Sequence, residues 1–275
     1  MRQINLEGAY DLHIHTAPDV LVRKMDDIEA AQQAKNAGMA GLLLKNHHTC
    51  TAPRAQIAEK VVPGISVVGA LVLNYSVGGI NPFAVEAALK MEAREIFMPT
   101  KSASNHRNKE GKLGGISILD KEGEELIPKI KDILDMVYQY KAILGTGHLS
   151  KTEIRLIVGQ AKKQKIKKIL VTHPESFLVD LTGEEQKELA DKGVYFERCY
   201  FSVLSSVRKV PLEQIASEIR IVGAEKSILT TDLGQPDHPF PVEGLYAFIN
   251  GLMNLGIKKN EIKIMTQENP LSLLN

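Results

Sequence analysis

Cysteine is scarce in this chain. Cys50 and Cys199 are the two in 275 residues, far apart and in no C-x-x-C pair, which excludes a disulfide framework and a thiolate-built zinc site. A surplus of charge is missing as well, since 34 basic and 33 acidic side chains leave a net +1. Without a field of one sign, the chain has no general attraction for nucleic acid or an anionic membrane. No apolar run reaches the roughly 18 residues of a membrane span, and the opening MRQINLEGAYDLHIH holds no uninterrupted hydrophobic stretch of the signal-peptide kind. A soluble cytoplasmic protein is the expectation. Also absent are a linker rich in Pro, Gly or Ser and a G-x-G-x-x-G fingerprint after the first strand, which argues against a dinucleotide-binding open sheet. The basic run AKKQKIKK at 161–168 has no interleaved aromatics and reads as a solvated helix end, not as a nucleic-acid contact.

What the chain does have is a globular composition, 44% apolar and 24% charged, and a regular alternation of short apolar runs with amphipathic stretches. The runs are AYDLHIH (9–15), GLLLKNH (41–47), ISVVGALVLN (65–74), EIFMPT (95–100), AILGTGH (142–148), KILVTH (168–173), GVYFERC (193–199) and SILTTD (227–232). Helix punctuation lies between them. Acids follow Asp26 and Gly38 supplies a stop, Asn81-Pro82 opens a second helix, Thr182-Gly-Glu-Glu offers a capping box, and Pro211 and Pro241 open two more. Eight strands, nearly each followed by a helix, predict a (β/α)8 TIM barrel, with residues 1–275 forming one barrel domain. A loop or hairpin insertion is expected at about 101–122. Its first part, KSASNHRNKEGKLGG, is polar and aperiodic, as suits either a lid or a tolerated surface excursion.

The eight histidines are not scattered. His13 and His15 close the first strand, His47 and His48 the second, His148 the fifth and His173 the sixth, while His106 follows the fourth and His238 the eighth. In a β/α barrel the C-terminal strand ends form one rim, where active sites are built. Residues two apart on a strand share a side and lie about 6.6 Å apart, so His13 and His15 can lean towards one ion, with Asp11 expected on the same side. Catalytic zinc uses about three N or O ligands and keeps a position open. Core packing would not gather His13, His15, His148, His173 and Asp232 at one rim.

DLHIH, TGH, THPE and TTD, in this order and at strands one, five, six and eight, resemble the amidohydrolase superfamily of metal-dependent hydrolases. The resemblance spans almost the whole chain and implies a barrel with its metal site at the C-terminal rim. It implies that His13, His15 and Asp232 bind one metal, and that His148 and His173 bind a second or divide into a ligand and a catalytic residue. A divalent ion is expected, zinc first, with manganese, iron or nickel as alternatives, in one or two equivalents. Binuclear members usually carry a carboxylated lysine or a glutamate on strand four, whereas here that strand ends Met98-Pro99-Thr100-Lys101. Lys45, in phase with His47 on strand two, is either a bridging lysine or a cation for a substrate carboxylate or phosphate.

In that scheme Asp232 moves the proton of the attacking water and His173 polarises the scissile group. His47, His48, Asn74, His106, Glu197 and Arg198 are the candidates for substrate binding. Glu197, if inward, would also support a histidine, and Asp19 and Arg23 in the loop TAPDVLVR either reach the mouth or, the reading preferred, are ordinary surface polarity. The reading is a hydrolase acting on an amide, ester, lactone or cyclic imide of a small molecule. Alternatives are a decarboxylase on the same barrel, a phosphoesterase, whose usual Asp-x-His Asp232-Leu233-Gly234 lacks, and a metal-binding sensor without activity. A small-molecule substrate is expected, with no nucleic acid or membrane partner and a homodimer as the default assembly.

Overall fold

The computed structural model describes residues 6–206 and 208–275, and its eight parallel strands follow one another in sequence order around a barrel. They are β1 (Tyr10–Ile14), β2 (Gly41–Leu44), β3 (Ser66–Val72), β4 (Glu95–Phe97), β5 (Ile143–Gly145), β6 (Ile169–Thr172), β7 (Tyr195–Cys199) and β8 (Ser227–Thr230). Each falls within one of the eight apolar runs. Most stop short of the run's C-terminal end, because the polar residues there leave the ladder and turn to the mouth. Closure between β8 and β1 is made beyond β8. Asp232 N donates to His13 O at 2.8 Å and His15 N to Leu233 O at 2.7 Å, so the seam of the barrel is also where Asp232 meets the two histidines.

The helices are α1 (Asp27–Asn36), α2 (Ala52–Val61), α3 (Pro82–Lys90), α4 (Ser104–Lys109), α5 (Pro128–Gln139), α6 (Lys151–Lys163), α7 (Gly183–Asp191), α8 (Phe201–Leu204), α9 (Leu212–Val222), α10 (Pro241–Asn254), α11 (Lys259–Lys263) and α12 (Asn269–Leu274). Their starts follow the expected signals. Asp26 accepts Glu29 N at 2.8 Å while Glu29 returns to Asp26 N at 2.9 Å, and Thr182 with Glu185 repeats the arrangement for α7; such a cap contributes about 1 kcal/mol. The 101–115 stretch departs from its expected irregularity, since α4 sits within it. A helix of six residues is too short for a 3.6-residue period to show. Beyond it an antiparallel turn runs from Ile118 to Ile127, with Ile127 N donating to Ile118 O at 3.0 Å and Asp120 N to Glu125 O at 2.8 Å.

Apolar packing occupies two zones. Between sheet and helices lie residues such as Ile14, Leu44, Ile96, Val171, Phe196 and Leu229. Inside the barrel Leu12, Leu43, Val72, Phe97, Ile143, Leu170 and Ile228 form a plug, with Leu273 of α12 packed on it. The rim end of the interior is polar. Among the described residues no helix is long and apolar enough to cross a membrane.

One irregularity in β1 re-aims its side chains. Asp11 pairs with Leu42 but Ile14 with Leu44, three steps on one strand against two on the other, so the period-2 alternation breaks at His13. Asp11 therefore does not share the histidines' side. Its carboxyl accepts Thr231 Oγ1 at 2.6 Å and Thr231 N at 3.0 Å, and burial, partly offset by those bonds, raises its pKa to about 7.

Candidate metal centre

Three donors meet at the β1–β8 seam. Asp232 Oδ1 lies 3.1 Å from His13 Nε2 and 3.0 Å from His15 Nε2. On its other edge His13 Nδ1 is 3.0 Å from Glu197 Oε2, a carboxylate on β7 that stands where such groups commonly support metal-binding histidines, although neither of its oxygens makes a hydrogen bond here. Lys45 Nζ is 2.9 Å from His13 Nε2 and 4.1 Å from the centre of the Phe97 ring. The Cys199 thiol completes the base of the cluster, since His13, Cys199 and Asp232 each offer one donor atom within 4.8 Å of the others. Burial pushes that thiol well above its ordinary range.

A second cluster adjoins the first. His148 Nε2 and His173 Nε2 are 3.1 Å apart, and His106 stacks on His148 with ring centres 4.8 Å apart and Nδ1 atoms 2.7 Å apart. His47 bridges the two groups, stacked on His15 at 4.9 Å and lying 6.3 Å from His148. Its Nδ1 is 2.8 Å from Thr100 Oγ1.

The electrostatics sort these rings. Burial lowers His15 and His173 to about 3 and holds His47 and His148 well below the usual histidine range, so all four are neutral imidazoles at pH 7, the form that ligates metal. His13 is the exception. Burial alone would lower it, but Asp232 and Glu197 outweigh that and raise it to about 9. Burial would likewise raise Asp232, yet His13 and His15 keep its carboxyl well below the carboxylate range. The proton on His13 stands where a cation would serve both carboxylates. Two neutral or displaceable imidazole nitrogens and an ionised carboxylate form a donor set that suits a divalent ion.

Backbone strain accompanies the site. His173 has φ +30° and Asp232 φ +53°, left-handed values that side chains other than Gly rarely adopt and that concentrate at functional positions. Gly234 follows at φ +136°, where a Cβ would stand 1.8 Å from His15 O; only glycine lets the β8 loop pass this close to the histidine.

Above the cluster opens a cavity of about 250 Å³, lined by His15, Lys45, His47, His106, His148, His173 and Asp232 from the rim, with Arg23, Lys101, Phe177, Leu178, Phe201 and Arg208 among its upper walls. Four of the residues expected to bind substrate lie apart from it. Arg198 faces away from the barrel interior, where its Nη1 pairs with Glu175, lies 2.6 Å from Gln186 Oε1 and 3.4 Å from Glu218 Oε2. Strand alternation explains this, because Glu197 faces in and its neighbour must face out. Asn74 is engaged as a brace. Its amide donates to His47 O at 3.0 Å and Thr100 Oγ1 at 2.7 Å, and its oxygen accepts Thr100 N at 2.8 Å. His48 sits at the rim, its Nδ1 3.2 Å from Asp19 Oδ1, and Glu197 is fully buried beneath His13. Conversely, Arg23 reaches the cavity although its loop reads as surface polarity, and Lys101 also lines it.

The family model described as "Family of unknown function (DUF6282)" matches residues 8–197. No curated protein matches the chain. Among solved structures, the chain is similar to the probable dipeptidase PvdM from Pseudomonas aeruginosa, with 11% identity and a TM-score of 0.70 over 97% of this chain and 94% of that one. An amidohydrolase from Pseudomonas aeruginosa gives 11% identity and a TM-score of 0.63 over 98% and 95%. A 2,6-dihydroxybenzoate decarboxylase in complex with 2,6-dihydroxybenzoate gives 9% identity and 0.58 over 98% and 99%. At these identities the likeness is one of fold alone.

Proposed function

Since the chain belongs to the DUF6282 family and has the amidohydrolase barrel, we propose from the chemistry of its rim that it is a metal-dependent hydrolase cleaving an amide, ester, lactone or cyclic imide bond of a small molecule. The observation that carries this reading is the convergence of His13 Nε2 and His15 Nε2 on Asp232 Oδ1. Those three residues would hold the first ion, zinc being the best match to two imidazoles and a carboxylate, with His148 and His173 next to it. A bound divalent ion supplies Lewis acidity and lowers the pKa of water from 15.7 to about 7.

The protein's own groups do the rest. Both Asp232 contacts use Oδ1, which leaves Oδ2 to take a proton from the attacking water and deliver it to the leaving group. Glu197 keeps His13 turned towards Asp232. His173, neutral at pH 7, donates an N–H to the scissile oxygen and does not act as an acid. His47, steadied by Thr100 and Asn74, and His106 line the cavity that receives the substrate. Lys45 serves as a fixed cation beside the cluster.

A mononuclear decarboxylase is the second reading, favoured by β4. That strand sends no carboxylate to the mouth, because Glu95 lies fully buried inside the barrel, where burial and the Glu197 carboxylate push it well above its ordinary range.

The test is a screen of small N-acyl amides, lactones, cyclic imides and aromatic carboxylic acids, following acid release and CO2 release separately, with and without chelator. Acid release that chelator abolishes and added metal restores is expected, and His173→Asn is expected to keep its metal and lose turnover. CO2 release alone would replace the hydrolase with the lyase, and turnover indifferent to metal in every assay would overturn both.

A further inference from the structure

Charge around the cavity is one-sided. Arg23, Lys45, Lys101 and Arg208 line it against a single carboxylate, Asp232, in a chain whose overall charge is almost balanced. Two of these cations are set apart from the metal-binding cluster and from ordinary surface pairs. The Arg23 side chain is only 4% exposed. Asp19 Oδ2 accepts its Nε at 2.7 Å, and Asp19 is itself fixed by Leu21 N at 3.3 Å and His48 at 3.2 Å. Arg23 Nη2, however, is buried with no hydrogen-bond partner. A guanidinium nitrogen held out of water without an acceptor is costly, on the order of 1–3 kcal/mol or more, and a partner that arrives with a ligand removes that cost.

Lys101 adds to it. Lys101 is exposed at the rim and its ammonium has no hydrogen bond or ion pair among the described residues; partial burial together with the charge of Arg23 lowers its pKa. Both cations line the same cavity. Leu21, Phe177, Leu178 and Phe201 give the cavity an apolar part of its wall, interspersed with Ser176, Ser202, Ser205 and Gln235. At about 250 Å³ the cavity is just below the usual range of small-molecule sites, roughly 300–1,000 Å³.

We infer that Arg23 and Lys101 form an anion subsite that binds the carboxylate of a small substrate with an apolar body, while the bond to be broken lies over the histidine cluster. This rests on the hydrolase reading for the reacting end but not for the anchoring end. A planar carboxylate suits the remaining edge of a guanidinium already held by Asp19, and the apolar wall suits a hydrocarbon body better than a second charged group. The subsite also explains Asp19 and His48, which hold Arg23 in place.

Calorimetric titration of the full chain, as purified and after chelator treatment, with benzoate, benzamide and inorganic phosphate tests this. Benzoate is expected to bind both preparations, about tenfold or more tightly than benzamide. Arg23→Met should weaken benzoate by about tenfold or more and Lys101→Ala by roughly three- to tenfold, without effect on benzamide or on metal content. Lys101 has no partner to lose, so its variant remains informative if Arg23→Met folds poorly. Equal binding of benzoate and benzamide, no benzoate binding, or benzoate binding unchanged in Lys101→Ala would overturn the inference, as would phosphate binding more tightly than benzoate. The chelator-treated sample contains no metal, so the subsite can fail while the metal reading stands, and the reverse.

Discussion

Two buried polar clusters stand back to back on β7. On the inner face Glu197 meets His13, and beyond it come Lys45, His15 and Asp232. On the outer face Arg198 meets Glu175, Gln186 and Glu218. Both are withdrawn from water, yet their geometry differs. The outer cluster links the segment after β6 to α7 and α9 through the single nitrogen Arg198 Nη1, and none of its members lines the cavity. The inner cluster places like donors against one another, imidazole nitrogen beside ammonium and imidazole beside imidazole, and opens to the mouth. Unpaired atoms occur on both sides, since Arg198 Nε and Nη2 and Glu175 Oε2 also lack hydrogen-bond partners; what marks the inner cluster as a site is that it gathers donor atoms of several side chains at the mouth of a cavity.

The largest effect should come from the inner side. Asp232→Asn removes the oxygen that both histidines share and is expected to bring bound metal to a small fraction of an equivalent and to lower turnover by roughly 10²–10⁴, with the circular dichroism spectrum unchanged. Next comes the outer side. Arg198→Met strands buried Glu175 and is expected to cost about 3–5 kcal/mol of stability in urea titration, with metal content per folded molecule intact. Were metal lost as well, the two clusters would not be separable. Glu197→Gln cuts between them, weakening the support of His13, and metal affinity measured by competition with a chromogenic chelator should fall about 10–100-fold while the urea midpoint moves little.

The smallest effect lies away from β7, on the surface. Burial, the largest single effect, opposes ionisation of Glu185, but Lys151, Thr182 N–H and Arg155 together outweigh it and lower its pKa to about 2. A depressed carboxylate contributes stability above its unfolded pKa, near 4.5, and loses it as pH falls through the folded value. Glu185→Gln should therefore lower stability at pH 7 by under about 1 kcal/mol, and the gap to the unsubstituted protein should close between pH 4.5 and 2 in thermal melts. A gap that widened on acidification would contradict the sign.

Much of this was readable in the chain. The eight strands were legible because each is a short apolar run, and the rim was legible because polar residues close those runs at His15, His47, His148, His173 and Asp232. Strand alternation also contained the answer for Arg198, since Tyr195, Glu197 and Cys199 share one face and Arg198 must take the other. Asp11 was not legible, because a single extra residue in the β1 pairing reverses a side chain and leaves no compositional mark. Nor were Arg23 and Asn74. A loop arginine's reach and an asparagine's choice of partners depend on how distant segments pack, and His47, Thr100 and Asn74 come from three different stretches. The short α4 escaped for want of length.

Elemental analysis of the full chain purified without chelator bears most directly on the central claim, that imidazoles from β1 and a carboxylate after β8 gather around one cation. The account predicts at least one equivalent of a divalent transition metal, lost in Asp232→Asn. A folded protein that carries no metal and takes up none when zinc or manganese is supplied would contradict it.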